Sequence, residues 1–335
     1  MSHSSPTMPA IDAHIHVHPE AAAHLLDIME ANRLSQVVNM GVLEALGIPF
    51  EEGMGRLNQV LGDRAVYFPT PDFCDTLPGF GQRMADELAR KVEAGAGGLK
   101  IFKELGLRHR DADGHLIAVD DPRLDLLWAK AGELGVPVLI HTADPVAFFQ
   151  PLDEDNERWE ELQSHPDWHF GGAEFPDHDT LLAQRNRIVE RHPDTIFVGA
   201  HLGNYAENLV YVDACLDRFP NFYVDTTARI GEIGRHPAEE SRAFFIKHQD
   251  RVIFGTDLAL GWDAFAEEDP ADIASIKHFY EAHWRFFESG ERQIEYPRFP
   301  VQGRWKVDAL GLPQAVVEKL YARNLQRLVP RLRMD

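Results

Sequence analysis

The chain has 335 residues, 44% of them hydrophobic, with 33 basic against 54 acidic side chains and a formal charge of −21. That excess of negative charge disfavours nucleic acid and anionic membrane surfaces as partners, and two cysteines, Cys74 and Cys215, are too few for a disulfide framework or a thiolate metal site. Met1 to Pro9 lacks the basic and apolar regions of a secretory leader, and no apolar run approaches the roughly 18–20 residues of a membrane span, so a cytoplasmic location is expected.

Short apolar, β-rich runs alternate with longer stretches of helical period, the pattern of repeated βα units on a parallel sheet. Eight strands are predicted in chain order: Ile11–His16, Gln36–Gly41, Ala65–Pro71, Gly98–Phe102, Pro137–His141, Ile196–His201, Phe222–Thr226 and Val252–Asp257. Helices are predicted over Gln82–Ala94, Arg123–Leu134, Leu181–Arg191 and Ala206–Arg218, several followed by Gly or Pro that stops them before the next strand. A last helical stretch, Pro313–Leu328, packs on the exterior. Eight strand–helix units define a (β/α)8 TIM barrel, α/β in class, and with no repeat or linker to divide it the chain reads as a single domain over residues 1–335.

The long connection Thr142–Thr180 after the fifth strand breaks the short-loop rule and is expected to cover an active site at the C-terminal ends of the strands. A second, Ala259–Trp305, carries Trp262, Phe279, Tyr280, Trp284, Phe286 and Phe287, most of which are expected to pack on helices rather than touch substrate.

The first strand carries Asp12-Ala13-His14-Ile15-His16, two imidazoles at i and i+2, which point to one face of a strand and suit chelation. Three later strands each end on a metal-ligand or acid/base residue: His141, His201 and Asp257.

This ordered set, with Gly-Ala-His-Leu-Gly-Asn at 199–204 and Phe-Gly-Thr-Asp at 254–257, resembles the amidohydrolase superfamily of metal-dependent TIM barrels, and within it the branch of lactonases and nonoxidative decarboxylases. The resemblance implies that His14, His16, His141 and Asp257 bind a divalent metal, usually zinc, and that His201 stands beside the reacting group or binds a second metal. Neutral imidazole and carboxylate are donors that suit zinc, and a catalytic site keeps one position open. The activity implied is hydrolysis of a lactone, ester or amide by metal-activated water, with Asp257 moving the proton. Decarboxylation or hydration of a carboxylic acid on the same site is the alternative, and a noncatalytic metal- or ligand-binding barrel the alternative of another class.

Lys100 lies between Leu99 and Ile101, which pack outward, so it is expected to point into the barrel as an ion-pair or substrate-anion contact; the resemblance to the superfamily implies the other reading, a carboxylated bridge between two metals. Arg229, after strand seven, faces the end where it can clamp a substrate carboxylate or pair with an acidic loop residue. Asp12 either orients a ligand or makes a structural hydrogen bond, and His18 is read as a loop histidine. Lys103 and Glu104 are read as solvated, and His109, His115, His165, His169 and His178 as surface histidines. The expected partner is a small molecule, a carboxylate among the candidates, with assembly into a homo-oligomer left open.

Overall fold

The computed structural model describes residues 5–261, 273–296 and 302–332. In chain order its main elements are β1 (Ala10–Val17), α1 (Ala22–Ala31), β2 (Leu34–Met40), α2 (Phe50–Leu61), β3 (Ala65–Phe68), α3 (Phe80–Glu93), β4 (Leu99–Ile101), α4 (Asp125–Leu134), β5 (Val138–Ile140), α5 (His178–Arg191), β6 (Phe197–Gly199), α6 (Leu209–Arg218), β7 (Phe222–Asp225), α7 (Ala238–Lys247), β8 (Val252–Ile253), β9 (Leu258–Leu260) and α8 (Ile273–Glu288). All eight expected strands are present and βα alternation is maintained. The helix predicted over 313–328 begins at Gln314 and contains one π-helical turn, Lys319–Arg323.

The chain forms two compact units, Met1–Tyr67 with Asp225–Pro300 and Arg304–Asp335, and Phe68–Val224 with Val301–Gly303. In the first, the strand order is β3-β2-β1-β9, and β1 pairs in parallel with β2 and β9. Period-two alternation divides β1: Ile11, Ile15 and Val17 belong to the apolar core, while Asp12, His14 and His16 take the other parity. Helix α8 contributes Tyr280, Trp284, Phe286 and Phe287, all fully buried, and Phe254 lies 5.0 Å from Trp284 and 5.2 Å from Tyr321 between ring centroids. The expected packing role of these aromatics holds, and Trp262 lies outside the described residues.

The eighth expected strand is interrupted. Pairing stops at Ile253 and resumes at Leu258 in β9, beside β1. Two local facts account for the break. A Cβ on Gly255 would sit 2.6 Å from a Thr227 methyl and 3.1 Å from His14 Cβ, so only glycine fits there, and Asp257 adopts φ 69°.

In the second unit β4, β5, β6 and β7 pair in parallel in that order. Met84 and Leu88 of α3 are buried and α3 packs against α4, a contact made close by Gly81, whose Cβ would fall 1.8 Å from the Arg123 carbonyl oxygen. Helix α4 ends on Gly135 at φ 65°, two residues before Pro137, and α5 starts on Asp177, whose carboxylate accepts from Thr180 N at 2.6 Å. The expected sixth strand ends two residues early, at Gly199, because His201, Leu202, Gly203 and Asn204 all have positive φ.

The insertion after β5 folds into a 3-10 turn (Val146–Phe149), a helix (Trp159–Ser164) and a second 3-10 turn (Pro166–Trp168). Asn156 Nδ2 ties it together by donating to the carbonyls of Ala147 at 2.8 Å and Pro151 at 3.0 Å, and Arg158 and Glu161 form a buried ion pair at 2.7 Å.

Candidate metal centre

In the first unit, β1 delivers its two histidines to one point. The His14 and His16 ring centroids are 5.1 Å apart, and their Nε2 atoms stand 3.4 and 3.2 Å from Asp257 Oδ1. One donor atom from each of the three residues lies within 4.8 Å of the other two. The direction of each ring follows from its other nitrogen. His14 Nδ1 donates to the Asp225 carboxylate at 2.9 Å and His16 Nδ1 to the Met40 carbonyl at 2.8 Å. Both partners can only accept, so the proton sits on Nδ1 and the Nε2 lone pairs face Asp257.

Asp225 is itself fully buried and held by Thr227, whose Oγ1 donates to it at 2.5 Å and whose backbone N donates at 3.2 Å. Asp257 is locked by its backbone N donating to His14 O at 2.8 Å, yet its side chain keeps 28% exposure. A non-glycine residue held at positive φ carries strain, which the surrounding structure must over-determine. Asp257 therefore combines a fixed backbone with an accessible carboxylate. Two imidazole nitrogens and one carboxylate oxygen fit a divalent ion of the zinc or manganese kind.

Asp12 takes the structural one of its two readings. It is fully buried and accepts from His14 N at 3.2 Å, Thr256 N at 3.1 Å, Thr256 Oγ1 at 2.6 Å and Tyr280 Oη at 2.7 Å. Burial raises its pKa to about 6 against the opposing pull of these donors. His18 caps the turn at Pro19, accepting from Glu20 N at 3.1 Å. Arg229 is buried after β7, 6% exposed, and its Nη1 donates to Ala228 O at 2.7 Å.

The second unit holds His141, His201 and Lys100. His141 Nδ1 and His201 Nε2 are 3.3 Å apart, and Lys100 is fully buried with Nζ 4.9 Å from the centre of the Phe102 ring. His141 Nε2 stands 3.0 Å from Asp144 Oδ1, and Asp144 Oδ2 is 2.5 Å from Lys103 Nζ. Lys103 is therefore not solvated, as its place at the exit of β4 suggested. It is half-buried, its charge is taken up by Asp144, and the rings of Trp168 and Phe170 lie 4.7 and 5.5 Å from it. Burial would raise the Asp144 carboxyl, but Lys103 and His141 outweigh it and hold the group well below the ordinary carboxylate range. Burial pushes the His141 pKa down, although Asp144 opposes it.

His178 is a second correction, since it is buried and its Nε2 donates to Asn204 O at 3.0 Å. His109 stacks on Phe73 and His165 on Trp168, while His169 pairs with Gln150 O. Asp111, Asp113 and His115 also come together, but Asp111 accepts from the backbone N of both others and pairs with Arg123, which marks a surface turn.

Sequence reasoning passed over Asp225 and Asp144, and it misread Lys103. Asp225 carried the signal that exposed Asp257, an acid at the end of a buried strand. Asp144 follows His141 at i+3.

A family model described as amidohydrolase matches residues 11–331. The chain belongs to the amidohydrolase family, a family of enzymes. Among solved structures it is similar to a 2,6-dihydroxybenzoate decarboxylase complexed with 2,6-dihydroxybenzoate (14% identity, TM-score 0.56, 97% of this chain and 100% of that one). It is also similar to a dihydroxybenzoic acid decarboxylase from Polaromonas sp. JS666 with bound manganese and the inhibitor 2-nitroresorcinol (13%, 0.59, 98% of each), and to an amidohydrolase from Burkholderia multivorans with bound zinc (13%, 0.50, 96% and 99%). These likenesses show the fold, α/β of the TIM-barrel class. No curated protein matches the chain. Among the described residues no helix is long and apolar enough to cross a membrane.

Proposed function

We propose that the protein is a metal-dependent hydrolase of a small carbonyl compound, a lactone, ester or amide. The observation that carries this reading is the convergence of His14 Nε2, His16 Nε2 and the accessible Asp257 carboxylate, with both Nδ1 atoms already committed to acceptors. An ion held by these three residues, zinc being the preference from the donor set, would supply Lewis acidity and make water a better nucleophile near neutral pH. Asp257 accepts the proton of the attacking water and delivers it to the leaving group. The family resemblance would make His141 a further ligand, and His201 would polarise the reacting carbonyl or hold a second ion. Arg229 takes a substrate carboxylate, a role supported by its burial just after β7. Lys100 is assigned to an ion pair or a substrate-anion contact in preference to a carboxylated bridge, and two metals per chain would reverse that preference.

A second reading, nonoxidative decarboxylation of an aromatic acid, is favoured by the likeness to the two dihydroxybenzoate decarboxylases. In that case Asp257 in its acid form would protonate the ring carbon as the bond to the carboxylate breaks and CO2 leaves, and Arg229 would hold the substrate carboxylate before that step. The test is a paired screen of the zinc- and manganese-loaded protein, with lactones and aryl esters followed by acid release and hydroxybenzoates followed by CO2 release. Turnover of the first set and not the second supports hydrolysis, the reverse supports decarboxylation, and turnover of neither contradicts both.

A further inference from the structure

The ring of His141 is held by a device that the proposed function does not use. Its Nε2 faces Asp144 Oδ1 at 3.0 Å, and Asp144 is 4% exposed and grips Lys103 Nζ through its other oxygen at 2.5 Å. Trp168 and Phe170, both from the insertion, flank the Lys103 ammonium and lower the local dielectric around the ion pair. A carboxylate whose second oxygen is already engaged by an ammonium offers only lone pairs to the ring, so the ring nitrogen beside it must donate. The backbone is fixed to match. Thr142 N donates to Asn204 Oδ1 at 3.0 Å and Val146 N to Glu207 Oε1 at 3.0 Å, which ties the segment after β5 to the turn that carries His201. That turn runs through four successive positive-φ residues and is clamped by Arg185 Nη1 donating to Gly203 O and by His178 Nε2 donating to Asn204 O. Both imidazoles are thus carried on backbone tied down by side-chain hydrogen bonds.

We propose that Asp144, clamped by Lys103, is a positioning residue that commits His141 to one tautomer, with the proton on Nε2 and the Nδ1 lone pair turned toward His201. The insertion takes part through Trp168 and Phe170, which hold the lysine that holds the carboxylate. Without Asp144 the neutral ring loses the acceptor that fixes its proton on Nε2, and its Nδ1 would be protonated part of the time and unable to bind an ion or accept a proton. The consequence for metal binding rests on the reading of His141 as a ligand; the tautomer does not.

The test is long-range 1H–15N correlation on the full chain labelled with 15N-histidine and stripped of metal, so that no ion on Nδ1 dictates the tautomer, the His141 signals being assigned from a His141→Gln variant; Zn2+ is added back only for the affinity measurement. The expected result is a proton on Nε2 of His141 in the wild type, a switched or mixed tautomer in Asp144→Ala, and a smaller displacement in Lys103→Met. Competition with a chromophoric chelator should then show zinc bound about 10–100-fold more weakly by Asp144→Ala. A wild-type ring protonated on Nδ1 overturns the proposal, and needs no variant to fold. An Asp144→Ala ring that keeps its proton on Nε2 also overturns it. A tautomer lost in Asp144→Ala with zinc affinity unchanged upholds the positioning role and instead removes His141 from the metal's ligands.

Discussion

The two histidine pairs of this protein commit opposite ring nitrogens. On β1, His14 and His16 give up Nδ1, one to the buried carboxylate of Asp225 and one to the Met40 carbonyl, and present Nε2 to Asp257. After β5, His141 gives up Nε2 to Asp144, which leaves Nδ1 toward His201. The first pair is aimed by regular strand geometry and neutralised by its own neighbours. The second is aimed by an ion pair to Lys103 and by a left-handed turn. Spacing in sequence therefore says that imidazoles gather, but the acceptor behind each ring decides which nitrogen does chemistry.

The comparison can be broken most forcefully at Asp257, the residue assigned to proton transfer in the first group. Asp257→Asn should lower turnover of whichever ester, lactone or aromatic acid the wild type consumes by about 10²- to 10⁴-fold while the fold is retained. Unchanged turnover would remove the acid/base role.

A control that belongs to neither pair is His283 on α8. Burial lowers its pKa to about 4 although Phe279 O accepts from it. A base with a lowered folded-state pKa stabilises the fold fully above its unfolded value of 6.5, and that stability is lost as pH falls toward 4. Urea unfolding at pH 7 and pH 4 should show His283→Gln losing less stability on acidification than the wild type, by up to about 3 kcal/mol. Equal losses would show that this ring does not couple folding to acid.

Asp225→Ala removes the acceptor behind His14 and should weaken zinc binding about 10–100-fold, read by chelator competition. If affinity were unmoved, the first pair would not depend on its buried carboxylate and the contrast with Asp144 would collapse. The smallest effect is expected at Asp111→Ala, which loosens a surface turn and should leave zinc per chain unchanged, as atomic absorption would report.

The β1 pair was legible because period two places i and i+2 on one face whatever the rest of the fold does, and Asp257 was legible as an acid ending an apolar run. The ends of strands were not. Pairing ends before Gly255, where neighbours leave no room for a Cβ, and Asp257 and His201 adopt positive φ, both set by tertiary neighbours that override local propensity. Lys103 looked solvated because an ammonium at a strand exit usually is, and only the folded insertion brings Trp168 and Phe170 over it. His178 read as a surface residue for the same reason, its acceptor being Asn204 O, distant in sequence. Contacts that depend on a long loop carry no periodic signal.

The central claim is that His14, His16 and Asp257 form a metal centre, and elemental analysis of the reconstituted protein tests it most directly. About one zinc per wild-type chain is expected, and none in the His14→Ala/His16→Ala double variant. A well-folded wild type that holds no metal after reconstitution, or a double variant that keeps its full complement, would contradict it.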